Sequence, residues 1–129
     1  MLKLVSSILL CILLVSLSDI SKADFPIVDD LQVAQSLSES TGQSLVLIFG
    51  SPSCPSCVQL KQDIHDGYFL MQLDEKIVCY IDLAKHREMI KKFKISSIPD
   101  SRLIIKGKQK TVIVGYDRSS YNKWLSNAE

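Results

Sequence analysis

The chain has no excess of either charge. Lysine and arginine number 15 against 14 aspartates and glutamates, and only 22% of residues are charged. There is thus neither the basic field of a nucleic-acid binder nor an acidic tail, and no nucleic-acid partner is expected. Internal repeats, low-complexity tracts and linker-like stretches are also missing, so nothing divides the 129 residues, enough for one domain around one hydrophobic core. Cysteine is sparse. The four residues Cys11, Cys54, Cys57 and Cys79 contain one C-x-x-C and no second, which disfavours both a disulfide framework and a four-cysteine metal site.

What is present begins with a short cationic start, Met1-Leu2-Lys3, and an apolar run from Leu4 to Leu17. The run is too short to span a bilayer comfortably. Polar residues follow, and Ser21-Lys22-Ala23 offers small residues at the two positions a signal peptidase reads, so residues 1–23 are expected to be a cleaved secretory signal. An uncleaved membrane anchor is the alternative. Cys11 is not preceded by the small residues of a lipoprotein signal, so lipidation is not expected. The remaining residues 24–129 are nearly neutral and are expected in the periplasm or outside the cell. They keep Cys54, Cys57 and Cys79, and an odd number suits a redox pair plus one leftover better than a framework.

Along the chain, Leu31, Ala34 and Leu37 recur at three-residue steps and predict a helix from Asp29 to Ser40. Leu45-Val46-Leu47-Ile48-Phe49 is continuously apolar, the mark of a strand covered on both faces. Gly50-Ser51-Pro52-Ser53 breaks it. Cys57, Leu60 and Ile64 then mark one face of a helix that starts at or just before Cys54, with Gln59, Lys61, Gln62 and Asp63 between them. Tyr68 to Leu73 fits a helical turn or a buried loop. Ile77 to Ile81 reads as a strand and His86 to Phe93 as a short helix with Met89, Ile90 and Phe93 inward. Leu103-Ile104-Ile105 and Thr111 to Val114 form a hairpin about Lys106-Gly107-Lys108. Ser119 or Ser120 can cap a last helix carrying Tyr121, Trp124 and Leu125 on one face.

A C-x-x-C where a strand hands over to a helix points to disulfide exchange. The reaction needs a thiolate, and a helix N-terminus supplies one with unpaired backbone N–H groups and the positive end of the helix dipole. Pro55, just inside the helix, has no N–H to lose and a φ suited to the first turn.

The strand feeding Cys54-Pro55-Ser56-Cys57, the later Ile98-Pro99, and the hairpin with Gly107 and Gly115 together resemble the thioredoxin-like family, from about residue 29 to residue 127. The resemblance implies an α/β fold, a three-layer α/β/α sandwich whose central mixed sheet of about four strands is flanked by helices. It implies that Cys54 is the exposed nucleophile and Cys57 the shielded resolving cysteine. Pro99 would be cis and, with Ile98, would face the substrate near the C-x-x-C. No cofactor is implied. Substrates would be proteins with cysteines or disulfides, and the chain would act as a monomeric protein-disulfide oxidoreductase. On the Ile98-Pro99 pair it would act as a reductant, fed in that compartment by a membrane electron donor. The chain departs from the family at two places. Cytosolic members carry a buried Asp where this chain has Ile48, and usually a Trp where it has Ser53. Pro55-Ser56 matches neither thioredoxin's Gly-Pro nor the Pro-His of strong periplasmic oxidants.

Plainer readings stand beside these. The Cys54–Cys57 bond could be permanent in a non-catalytic binding module, or the pair could hold zinc with Cys79 and His65 or His86. Cys79 otherwise reads as a buried small hydrophobe. His65 and His86 read as surface residues on helices, and Lys91-Lys92 and Lys106 to Lys110 as solvated, with a docking patch for an acidic partner as their weaker reading.

Overall fold

A computed structural model of the chain describes residues 24–128, so the expected signal segment lies outside the described residues. The elements run β1 (Ile27–Val28), α1 (Leu31–Thr41), β2 (Ser44–Gly50), α2 (Pro55–His65), β3 (Lys76–Asp82), α3 (Glu88–Lys92), β4 (Asp100–Ile105), β5 (Lys108–Val114) and α4 (Arg118–Ser126). No helix among the described residues is long and apolar enough to cross a membrane.

The apolar run of β2 lies at the centre. The sheet order is β1-β3-β2-β4-β5, with β2 parallel to β3 and antiparallel to β4, and β5 antiparallel to β4. Because strand side chains alternate, Val46 and Ile48 enter one core with Leu60, Ile64, Tyr80, Leu103, Tyr121 and Leu125. Leu45, Leu47 and Phe49 enter the other with Leu31, Ala34, Cys79 and Ile81. Helices α2 and α4 thus cover one face and α1 and α3 the other, which is the expected three-layer α/β/α sandwich. A fifth strand joins the four read from the sequence. β1 is only two residues long and pairs parallel with β3 at Val78 and Cys79, too short to show a periodicity.

Several boundaries differ from the sequence reading. Helix α1 begins at Leu31 because the Asp30 carboxylate caps it, accepting from the Val33 N–H at 3.0 Å. Leu37 is exposed, not inward. Three-residue steps fall short of a full turn, so two of them carry a side chain about 120° round the helix from Leu31. Helix α3 is shorter than expected. His86 lies in the turn before it, and Ile90 is exposed while Met89 and Phe93 pack on the core. The segment from Tyr68 to Leu73 is a series of turns that buries Phe69 and Leu73. Asp117, not Ser119 or Ser120, caps α4, accepting from the Ser120 N–H at 2.8 Å.

Asp63, read as a polar position between core residues, is buried. Its carboxylate accepts from Arg118 Nε at 2.9 Å and Nη2 at 3.0 Å, from Gln59 Nε2 at 2.8 Å, and from the Tyr116 hydroxyl. Arg118 also lies over the Tyr68 ring, 4.7 Å from its centre. This cluster ties α2 to the start of α4. The Arg118 hydrogen bonds outweigh burial and hold the Asp63 carboxyl below its ordinary value of 3.8.

A carboxyl whose pKa is depressed on folding stabilises the fold above its unfolded value and loses that contribution as pH falls through the folded value. Asp63→Ala should therefore destabilise the protein by about 2 kcal/mol at neutral pH, the loss of the hydrogen bonds to a charged carboxylate that tie α2 to α4. Urea unfolding should show the gap to the native protein closing as pH drops below the ordinary carboxylate range. A gap independent of pH would show that the charge is not what the cluster uses.

Candidate active site

After Gly50 the chain turns through Ser51-Pro52-Ser53. The Ser51 hydroxyl lies 3.0 Å from that of Ser53 and accepts from the Ser53 N–H at 3.3 Å, and the Ser51 carbonyl accepts from the Cys54 N–H at 3.2 Å. Cys54 then becomes the N-cap of α2, with extended backbone (φ −101°, ψ 108°), and Pro55 is the first helical residue. The Cys54 sulfur accepts from the Cys57 N–H at 3.3 Å, so a sulfur does the work that a serine or aspartate oxygen does at an ordinary cap. The Ser56 hydroxyl lies 3.4 Å from the same sulfur.

Cys54 and Cys57 are joined in a disulfide, their Cα atoms 5.2 Å apart. The two sulfurs are not equivalent. Cys54 is half-buried and capped by donors, whereas Cys57 is fully buried. The sulfur a partner can reach is therefore that of Cys54.

The structure brings the other expected residues to the same place. The Ile98-Pro99 peptide bond is cis, and the Ile98 carbonyl oxygen stands 3.9 Å from the Cys54 sulfur. Pro99 is buried, and its carbonyl accepts from the Gly115 N–H at 2.8 Å, which fastens it to the end of β5. Beside this contact a cavity of about 370 Å³ is lined by Ser51, Leu83, Ala84, Ile90, Ile95 and Ile98. The exposed Ile90, misplaced on the inner side of α3 by the sequence reading, belongs to this lining.

Among solved structures the chain is similar to thioredoxin from Thermus thermophilus, with a TM-score of 0.70 at 16% identity over 82% of this chain and 88% of that one. It is also similar to the thioredoxin NaTrxh of Nicotiana alata (0.66, 16%, 82% and 95%) and to the germline-specific thioredoxin Deadhead of Drosophila melanogaster (0.67, 16%, 81% and 99%). The fold is the thioredoxin fold. At the level of sequence no family model and no curated protein matches the chain.

Two features of this thioredoxin fold were not legible beforehand. Asp100 and Arg102 form a buried ion pair, Nε to Oδ1 2.9 Å, in a strand read as starting only at Leu103. The Arg102 guanidinium lies 5.5 Å from the Phe93 ring centre and 5.7 Å from that of Phe49, and its Nη2 donates to the Phe93 carbonyl at 2.6 Å. It therefore pins the start of the segment that ends at Ile98. Opposite charges two residues apart share one face of a strand, which was the available signal. The second feature is Tyr80, whose phenol end packs on Gly50.

The residues of the zinc reading are not gathered, for no group of three or more histidine, cysteine, aspartate or glutamate side chains that could hold a metal occurs among the described residues. Cys79 sits in the α1 and α3 core opposite Leu47, and burial pushes its thiol up to about 12. A thiol held so high is inert at neutral pH.

Once the disulfide is reduced, the Ser56 hydroxyl is placed to donate to a Cys54 thiolate. Ser56→Ala should raise the Cys54 pKa by about half to one unit, since one weak donor to a charged sulfur is removed. The pH dependence of Cys54 alkylation reads this directly, and an unshifted profile would remove Ser56 from the account.

Proposed function

We propose that the chain is a thiol:disulfide oxidoreductase that acts on the cysteines of other proteins through Cys54 and Cys57. The observation that carries this reading is the asymmetry of the pair. One sulfur is a reachable helix cap beside the Ile98 carbonyl, and the other is buried and bonded to it.

In the reducing direction the Cys54 thiolate attacks one sulfur of a substrate disulfide. A Cys54–substrate bond forms, and the other substrate sulfur leaves with the electron pair and takes a proton from solvent. Cys57 then loses its proton and attacks the Cys54 sulfur, closing Cys54–Cys57 and releasing the second substrate sulfur as a thiol. Two electrons pass to the substrate. Ile98, held by the cis bond to Pro99, presents its carbonyl beside Cys54, where an extended substrate segment lies during the attack.

The reductant direction rests on the resemblance of the Ile98-Pro99 pair to that of thioredoxins. With residues 1–23 as a secretory signal, the domain would work in the periplasm or outside the cell and take its electrons from a membrane partner. Pro55 and Ser56 tune the first cysteine, and no cofactor enters the cycle.

The purified protein should accelerate insulin reduction by dithiothreitol, and Cys54→Ser should abolish the effect. Cys57→Ser should leave substrate proteins covalently trapped on Cys54, and whether trapped partners come from oxidised or reduced pools gives the direction. No acceleration over buffer, with a Cys54–Cys57 bond that resists dithiothreitol, would instead make this a binding module with a permanent disulfide.

A further inference from the structure

Closing the cycle requires the Cys57 thiol to give up a proton, yet Cys57 is fully buried. The proton needs a polar group beside it and a route outward. Ile48, which faces the α2 and α4 core, offers neither. Its partner in register across the sheet is Tyr80, which points to the same face.

Gly50 makes room for that tyrosine. A Cβ added at Gly50 would collide with the Tyr80 hydroxyl and stand 3.1 Å from the Cys57 Cβ, so the phenol end, Gly50 and Cys57 meet at one point. Tyr80 is nearly buried, yet no buried side-chain polar atom among the described residues lacks a partner, so its hydroxyl, bonded to no side chain as Tyr121 is to Ser101 and Tyr116 to Asp63, reaches solvent. Tyr80 also lines a cavity of about 790 Å³, together with Pro52 and Val58. The titratable groups around that cavity are Lys61 and His65 from α2, Asp82 from β3 and Asp24 from the segment before β1. The Lys61 ammonium stands 4.9 Å from the centre of the Tyr80 ring. Burial, with Asp82 nearby, pushes the phenol up to about 12.

We propose that Tyr80 handles the Cys57 proton: its hydroxyl hydrogen-bonds the Cys57 sulfur when the disulfide is open and relays the thiol proton to solvent through the cavity. This rests on the oxidoreductase reading above. In the step, the Cys57 proton passes to the Tyr80 oxygen while the phenol's own proton passes to solvent, so the tyrosine ends neutral. The freed pair on Cys57 forms the bond to Cys54, and the Cys54–substrate bond breaks with its pair on the substrate sulfur. Tyr80 touches no substrate, but it exchanges a proton with a reacting sulfur and so is a catalytic residue of the resolving step alone.

Tyr80→Phe keeps the ring and removes only the oxygen. Two readouts follow. In a Cys54→Ser background, ultraviolet thiolate absorbance should show the Cys57 pKa raised by about one unit, because a donor to the thiolate is gone. With both cysteines present, rapid-quench trapping should show the mixed disulfide resolved about tenfold more slowly, with the first attack by Cys54 unchanged. An unmoved Cys57 pKa together with native resolution would overturn the proposal. If the native protein shows no exchange at all, the proposed function fails, while the Cys57 titration still decides whether Tyr80 bonds that sulfur. Should Tyr80→Phe fold poorly, Gly50→Ala, which pushes the hydroxyl from its place, must raise the same pKa or the proposal falls.

Discussion

A strand buried on both faces hands its chain to a helix, and that junction carries the cysteine pair. β2 is buried from Leu45 to Gly50, so its direction and end point are held by two cores at once. Burying a large apolar side chain gains roughly 1.5–3 kcal/mol, and five of them in a row leave the strand one register. The residues that follow inherit that precision. Cys54 arrives as the N-cap of α2 because Gly50, Ser51, Pro52 and Ser53 form a short turn with its own hydrogen bonds, and α2 is itself anchored by Leu60 and Ile64. The same rigid centre places Ile98 and Pro99, because β4 is the neighbour of β2 on the other side.

Each layer around that sheet contains one buried carboxylate, and each is paired. Asp63 meets Arg118 in the α2 and α4 layer, and Asp100 meets Arg102 in the other. A buried charge without a partner costs several kcal/mol, so these pairs are conditions for burying the residues at all, not large net sources of stability. Both have positional consequences. The first sets the start of α4 against α2, and the second ties the Phe93 carbonyl to the strand that follows Pro99. Each carboxylate is held by an arginine, and what surrounds the Cys54 sulfur is a backbone N–H and a serine hydroxyl.

Much of this was legible in the residues. The apolar run of β2, the C-x-x-C after it and the Ile-Pro before a hairpin are local patterns, and local patterns survive being read one window at a time. What escaped were features whose cause lies far along the chain. Asp63 looks like an outward helix position until Arg118 is brought to it, and a two-residue β1 has no pattern of its own. Leu37 misled because steps of three imitate a helical face without following it. Gly50 read only as a strand breaker, though its missing side chain is what admits Tyr80 beside Cys57. An absent Cβ leaves no sign in a hydrophobicity pattern.

The two sulfurs of the pair differ by environment alone, and that difference orders the chemistry. Cys54 takes a backbone N–H and sits at the positive end of α2 with a serine hydroxyl beside it, all of which favour a thiolate. Cys57, a turn further in, is without exposure. An attacking sulfur that is ionised early and a resolving sulfur that ionises only with help would react in that order without any moving part. The order requires that help for the second sulfur be modest, because a donor as strong as those around Cys54 would erase the difference. A single neutral phenol is a donor of that strength.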